Sequence, residues 1–239
     1  MRRQAQPFIE ERKEARMGCE INYKQIVEFM KVVEKFKTCE RTCRTTNRQR
    51  RESDAEHSWH LALFLILLEP RLNQMDITKL LKLALIHDLP ELLAGDTNPY
   101  RDDIENKEEK EKRAAEELFS LLPREMERQF SMLFDEYVAQ ETREAKFVKS
   151  IDKLMPLIQN LCTNHEHSSY RSLKVTYPEV KEYMDQFFQD GSFLQTLYQM
   201  LLSESHEEGV FFDDAQPDEN SRLDAAINNQ SPSLCNDEE

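Results

Sequence analysis

Two adjacent residues, His87 and Asp88, are the part of this sequence best suited to chemistry. They end the apolar run LKLALI, and Glu91 and a predicted turn at Asp96 follow them closely. A neutral imidazole beside a carboxylate offers the nitrogen and oxygen donors that divalent transition metals accept. Helices often end in histidine or aspartate for capping reasons alone, so a metal site requires further donors elsewhere in the chain.

Two other segments carry candidate donors. His57 lies in the first turn of AEHSWHLALFLILLE, a segment so apolar that its helix must be largely buried. Two buried helices that each bring a histidine to one end could place those histidines together. Asp152 lies beside the apolar stripe of a third predicted helix, where a carboxylate needs a partner because an unpaired buried charge is costly. That partner could be a lysine or arginine, or it could be a metal.

The elements that must position these residues are helices. Apolar residues recur at spacings of three and four over 21–36, 55–69, 77–86, 104–123, 124–140, 142–164 and 184–202. Only 4 glycines are present, which favours helices over a sheet rich in tight turns. The pattern predicts an all-α, compact multi-helix bundle of about seven helices. We expect a single domain over residues 21–203.

Three segments lack an apolar stripe. Residues 1–20 are charged and predict a flexible N-terminal extension. Residues 204–239 are polar and acidic, which predicts a disordered tail. The basic segment 37–53, KTCERTCRTTNRQRRES, is expected to contribute little to the core. It is either a solvated loop or an anion-binding loop beside an active site.

Composition also narrows the partners and the compartment. The net charge is −14, but much of it lies in the tail, so the folded part is mildly acidic and no nucleic-acid partner is expected. The 5 cysteines are odd in number and scattered, which favours a reducing compartment. The longest apolar run is too short to span a bilayer, and the N-terminus lacks the apolar region of a signal peptide. We therefore expect a cytoplasmic protein without a membrane partner.

The order of His57, His87-Asp88 and Asp152 on successive helices resembles the HD-domain metal-dependent phosphohydrolase superfamily. The segments EHSWH (56–60), HDLPELLAGD (87–96) and SIDKL (150–154) are similar to its 5′-deoxynucleotidase branch. The segment ERTCRTTNRQRRESDAEH also resembles the arginine-rich stretch before the first histidine there. The match covers roughly residues 22–200. It implies an HD-domain bundle, removal of phosphate from (deoxy)nucleoside 5′-monophosphates, and a homodimer.

The resemblance also implies roles for individual residues. The implied ligands of one divalent metal ion are His57, His87, Asp88 and Asp152. Such a set suits Mn, Co, Fe, Ni or Zn, and Mg is a further candidate. Glu91 matches the catalytic acid or base, and the residues alone do not decide whether it deprotonates water or protonates the leaving group.

The implied substrate contacts lie in two segments. Asp96 matches the sugar-contacting position, and Thr97, Asn98 and Pro99 continue that loop. Arg41 with Thr42 matches the phosphate-contacting dipeptide, since guanidinium is a bidentate phosphate donor. The bulky aromatic residue that follows the arginine in the family is missing here, so other arginines rival Arg41, namely Arg44, Arg48 and Arg50.

Other activities are compatible with the same metal centre. A nucleotide triphosphohydrolase or a phosphodiesterase of signalling nucleotides would use it too. A non-catalytic nucleotide-binding protein is a third alternative, although a full ligand set with Glu91 argues against it.

Overall fold

A computed structural model describes residues 21–213, apart from 48–49, 73–74, 102–105, 164 and 190, and it confirms the all-α prediction. Residues 1–20 and 214–239, which hold the predicted extension and most of the predicted tail, lie outside the described residues. The helices are α1 Tyr23–Val33, α2 Asp54–Leu67, α3 Ile77–Ile86, α4 Glu91–Ala94, α5 Lys107–Phe119, α6 Arg124–Ala139, α7 Arg143–Thr163, α8 Ser169–Ser172, α9 Tyr177–Asp185 and α10 Phe193–Glu207. Among the helices of this part of the chain, none combines the length and apolar character that crossing a membrane requires.

The basic segment 37–53 is not a loop throughout. Strands β1 Glu40–Arg44 and β2 Arg51–Ser53 pair antiparallel within it. The expectation that this segment adds little to the core is wrong in one respect, because Cys43 is buried against Ser169. The hairpin therefore attaches the basic segment to the helical body.

The predicted helix over 184–202 is also wrong, because the chain forms two helices there. Helix α9 ends at Asp185 and α10 begins at Phe193. Gly191 adopts a φ of +68° between them, a left-handed conformation that glycine tolerates at no steric cost. Phe188 nevertheless remains buried and stacks on Tyr198, so the two sides of the break pack against each other.

The main core lies between α2, α3, α7 and α10. Leu61, Leu80 and Leu154 are fully buried there, and each buried leucine contributes about 1.5 to 3 kcal/mol. Val210 and Phe211 also belong to this core. The packed part of the chain therefore continues beyond the predicted domain boundary at residue 203.

Candidate metal centre and active-site cavity

Three core helices bring the predicted metal ligands together. Ser53 and Glu56 form a capping box that fixes the start of α2, and His57 lies in the turn that follows. His87 caps the C-terminal end of α3, with Asp88 next to it. Asp152 lies on the buried face of α7. Because α3 packs against both α2 and α7, side chains far apart in sequence meet.

The four side chains form a compact cluster. One donor atom each from His57, His87, Asp88 and Asp152 lies within 4.8 Å of the other three. His57 Nε2 lies 3.0 Å from Asp152 Oδ1, and His87 Nε2 lies 3.0 Å from Asp88 Oδ2. Two imidazoles and two carboxylates around one point form a donor set for a divalent transition metal.

The orientation of His87 fits a metal ligand. Its Nδ1 lies 2.9 Å from the carbonyl oxygen of Ala84, an acceptor that requires the proton on Nδ1. In the neutral ring Nε2 is then the nitrogen with a lone pair, and it faces two carboxylate oxygens, Asp88 Oδ2 at 3.0 Å and Asp152 Oδ1 at 3.7 Å. A backbone carbonyl that fixes the tautomer of a metal-ligating histidine is a common arrangement. The ring is thus prepared for a cation at Nε2.

Asp152 has a lysine as a partner, which is one of the two alternatives that its buried position left open. Lys153 Nζ donates to its Oδ2 at 2.9 Å, and the Tyr137 hydroxyl donates to the same oxygen at 3.3 Å. The other oxygen, Oδ1, faces His57. One carboxylate oxygen is therefore neutralised by the protein, and the other is available at the donor cluster.

Electrostatics at the cluster favour a cation. Burial and then the charge of Arg41 lower the pKa of His57 to about 4, so its imidazole is neutral at pH 7. Burial also lowers the pKa of His87, but the Asp88 and Asp152 carboxylates outweigh it and raise that pKa to about 9. A metal would have to displace this proton, because only the neutral ring ligates.

Arg41 lies beside the cluster on β1. Its Nη1 donates to Asp88 Oδ2 at 2.9 Å and to Asp54 Oδ1 at 3.1 Å. The rival candidate Arg50 is exposed and pairs with Glu56 in a separate surface pocket. Arg48 lies outside the described residues, and Arg44 does not line the cavity that adjoins the metal ligands. Of the described candidates Arg41, Arg44 and Arg50, the structure brings Arg41 to the predicted metal ligands.

Glu91 begins the short helix α4, directly after the histidine–aspartate pair. It is only 6% exposed, and its Oε2 has no hydrogen-bond partner among the described residues. The nearest cations are Arg41 Nη1 at 3.9 Å from Oε2 and Lys107 Nζ at 4.0 Å from Oε1. Burial, and then the Asp88 charge, raise the pKa of Glu91 well above its usual value. Such a carboxyl group is suited to proton transfer.

A cavity of about 380 Å³ opens onto this cluster, a size that suits a small ligand. The predicted substrate residues that line it are Arg41, Thr42, Asp96, Thr97, Asn98 and Pro99. Asn98 joins the two predicted segments, because its Nδ2 donates to Thr42 Oγ1 at 3.3 Å. His57 is buried and does not line the cavity.

Several residues of the site were not predicted from the sequence. Asp54 is fully buried against Arg41, although at the start of a helix it looks like an ordinary N-terminal acid. Tyr137 contacts both His87 and Asp152, although its place in the apolar pattern marks only a core residue. Lys107 and Lys149 line the cavity but occupy charged stretches. For Lys149, only its position three residues before Asp152 on the same predicted helix could have suggested a role.

Comparison with known proteins finds a matching family and several relatives. A family model described as HD domain matches residues 33–208. The 5′-deoxynucleotidase HDDC2 of Xenopus laevis is 36% identical over 147 residues, which cover 60% of this chain and 72% of that protein. The 5′-deoxynucleotidase hdd1 of Schizosaccharomyces pombe is 29% identical over 182 residues, covering 69% of this chain and 89% of that protein.

Solved structures show the same fold. A crystal structure of a predicted metal-dependent phosphohydrolase from Magnetospirillum magnetotacticum MS-1 has a TM-score of 0.72 and 33% identity. The match covers 81% of this chain and 100% of the chain from Magnetospirillum magnetotacticum. The PH0347 protein from Pyrococcus horikoshii OT3 shares the fold with a TM-score of 0.55 at 23% identity, covering 75% of this chain and 98% of that chain.

Proposed function

From the membership of this chain in the HD-domain family, we propose that it is a metal-dependent phosphohydrolase that removes phosphate from deoxynucleoside 5′-monophosphates. The observation that carries the proposal is the convergence of His57, His87, Asp88 and Asp152 within 4.8 Å at one end of a cavity. The names of its relatives support the substrate class, since several are 5′-deoxynucleotidases.

We propose one divalent metal ion as the cofactor, held by these four side chains. Mn, Co, Fe, Ni and Zn suit two imidazoles and two carboxylates, and Mg remains a further candidate. When bound, such a cation supplies a lowered pKa for a water molecule and neutralises charge that builds on the phosphoryl group. The protein contributes the fixed His87 tautomer and the Lys153–Asp152 contact that orient the donors.

Glu91 is the proposed proton-transfer residue. It lines the cavity beside the cluster, and its buried Oε2 has no hydrogen-bond partner among the described residues, with Arg41 Nη1 3.9 Å away. Hydrolysis of a phosphate monoester takes a proton from the attacking water and delivers one to the departing 5′-oxygen, and a positioned carboxyl group can carry out such a transfer. Arg41 and Thr42 are the proposed phosphate contacts, because a guanidinium group suits phosphate oxygens.

The reaction product distinguishes this activity from others at the same centre. Metal-loaded protein should release orthophosphate from dAMP, and the companion assay follows tripolyphosphate release from dATP. Tripolyphosphate without orthophosphate would replace the proposal by a triphosphohydrolase. Cleavage of a cyclic dinucleotide alone would replace it by a phosphodiesterase, and no turnover despite nucleotide binding would indicate a binding protein.

Asp96 is the proposed sugar contact, with Thr97, Asn98 and Pro99 completing the loop. We expect Asp96→Asn to change the ratio of kcat/KM for dAMP over AMP by about tenfold, since a site that hydrogen-bonds a hydroxyl discriminates strongly. Steady-state kinetics with both nucleotides measure this ratio. Hydrolysis of p-nitrophenyl phosphate, which has no sugar, is the control and should change little. An unaltered dAMP/AMP ratio would remove Asp96 from the sugar site.

We further propose a homodimer formed through the outer face of α2. Four apolar side chains at helical spacing are exposed there by 39–67%, namely Trp59, Leu63, Ile66 and Leu67. An apolar stripe of this kind is typical of an interface, and a two-fold axis lets one face meet its own copy.

Leu67→Glu is expected to shift the protein from dimer to monomer, because it places a charge in an apolar contact. Light scattering after size-exclusion chromatography gives the mass directly. The control is Leu121→Glu, at a leucine that is 41% exposed on another part of the surface. A wild-type protein that is monomeric at micromolar concentration would contradict the dimer.

We also propose a cytoplasmic location. Cys43 and Cys162 are free thiols in the described part of the chain, which suits a reducing compartment. Cell fractionation tests this, and recovery in an oxidising compartment would contradict it.

A further inference from the structure

Lys149 is a cavity-lining lysine close to the proposed metal ligands. Lys149 lies on α7 three residues before Asp152, so the two side chains share a helical face. Its Nζ lies over the Tyr137 ring, 4.6 Å from the centroid. The same tyrosine donates its hydroxyl to Asp152 and packs with its ring centroid 5.0 Å from that of His87. Lys149 is therefore separated from the metal-ligand cluster by a single aromatic ring.

The other cations of the cavity are already engaged by carboxylates. Arg41 pairs with Asp88 and Asp54, while Lys153 pairs with Asp152 at 2.9 Å. Lys107 lies 3.3 Å from the carboxylate of Glu111. Among the described residues, Lys149 has the Tyr137 ring as its contact and no carboxylate as an ion-pair partner.

A positive charge without a carboxylate partner would help this cavity to bind phosphate, because the cavity is rich in carboxylates. Its acidic lining residues are Asp88, Glu91, Asp96, Glu108, Glu111 and Asp152. A phosphate dianion entering this space meets repulsion from them, and cations already paired with carboxylates offset it only in part. Burial and then the Lys153 charge lower the pKa of Lys149 to about 8, which leaves the ammonium group mostly protonated at pH 7.

We propose that Lys149 binds the phosphate group of the substrate at the metal end of the cavity. The inference rests on the proposed function and adds a specific phosphate-binding residue to it. The ligand class is a phosphate monoester dianion, and the orthophosphate product presents the same chemistry. An ammonium group on a flexible stem can turn from the Tyr137 ring to a phosphate oxygen, where a charge-assisted hydrogen bond forms.

The test compares three variants of the full-length, metal-loaded protein. Lys149→Met removes the charge but keeps the length of the side chain, and Lys149→Arg keeps the charge. Lys146→Met is the matched control, at an exposed lysine one turn earlier on α7. Calorimetry gives the Kd for inorganic phosphate, kinetics gives KM and kcat for dAMP, and elemental analysis gives the metal content.

We expect Lys149→Met to raise the Kd for phosphate and the KM for dAMP by about 10- to 100-fold, the usual size of a hydrogen bond to a charged group. Metal content should equal that of wild type, and Lys149→Arg should restore binding to within a few fold. Equal phosphate affinity in Lys149→Met and Lys146→Met, or loss of binding in Lys149→Arg with metal retained, would overturn the inference. If the methionine variant does not fold, Lys149→Gln takes its place under the same criteria.

Failure of the proposed function gives a different result. Wild-type protein that binds inorganic phosphate but hydrolyses no nucleoside monophosphate would refute the nucleotidase activity. The effect of Lys149→Met on phosphate affinity would still decide the role of this lysine. Wild-type protein that holds metal and binds no phosphate would overturn the Lys149 inference itself.

Discussion

Replacing Glu91 by glutamine should lower the rate of phosphate release from dAMP by about 10²- to 10⁴-fold, the range typical of a lost general acid or base. The amide keeps the shape of the side chain but cannot transfer the proton. Glu91 groups with Asp54 and Asp88 and not with the two histidines, so the metal held by the four clustered donors should remain at the wild-type level. A coupled phosphate assay and elemental analysis of the same sample measure both quantities.

The control for this prediction is Glu108→Gln. Glu108 also lines the cavity, but it is exposed and lies on α5. It should retain activity within a few fold of wild type. A Glu91→Gln variant that is as active as Glu108→Gln would exclude Glu91 from proton transfer.

Replacing Asp152 by asparagine should remove both metal and activity. The change removes the negative charge of a donor group. It also leaves the Lys153 ammonium group without the carboxylate oxygen that lies 2.9 Å away in the wild-type protein. Loss of an outer contact to a ligand already costs about 10- to 100-fold in metal affinity, so loss of a ligand should cost at least as much. Elemental analysis after dialysis gives the metal content.

Asp135→Asn is the matched control for Asp152→Asn, because Asp135 is an exposed aspartate of the neighbouring helix α6. It should bind metal as wild type does. The two main predictions also separate the two roles, since Glu91→Gln should be inactive with metal and Asp152→Asn inactive without it. An Asp152→Asn protein with full metal content would contradict the proposed ligand set.

Much of the fold was predictable because buried helices leave a regular apolar pattern. The predicted segment 142–164 corresponds to Arg143–Thr163, since Ile151 and Leu154 repeat on the buried face. The predicted segment 55–69 likewise corresponds to Asp54–Leu67. The convergence of His57, His87, Asp88 and Asp152 was implied by the family resemblance, and periodicity alone indicated only that they lie on buried helices.

Other features left no pattern to detect. The β1–β2 hairpin is held mainly by backbone hydrogen bonds, which any sequence can form, and it contains almost no apolar residues. The break between α9 and α10 was missed because apolar residues flank it closely, Phe187 and Phe188 before it and Phe193 after it. Lys149 belongs to the same class, since a lysine next to a buried face looks like an ordinary solvated charge until its surroundings are known.

The most direct test of the central claim is the effect of metal removal on phosphate release from dAMP by wild-type protein. Activity should disappear after treatment with a chelator and return when Mn²⁺, Co²⁺, Fe²⁺, Ni²⁺, Zn²⁺ or Mg²⁺ is added back singly. At least one of these cations should restore orthophosphate release with about one metal ion per chain, as expected of a cation held by His57, His87, Asp88 and Asp152. Phosphate release that continues unchanged in metal-stripped protein would contradict the account, as would metal-loaded protein that releases no phosphate from any deoxynucleoside monophosphate.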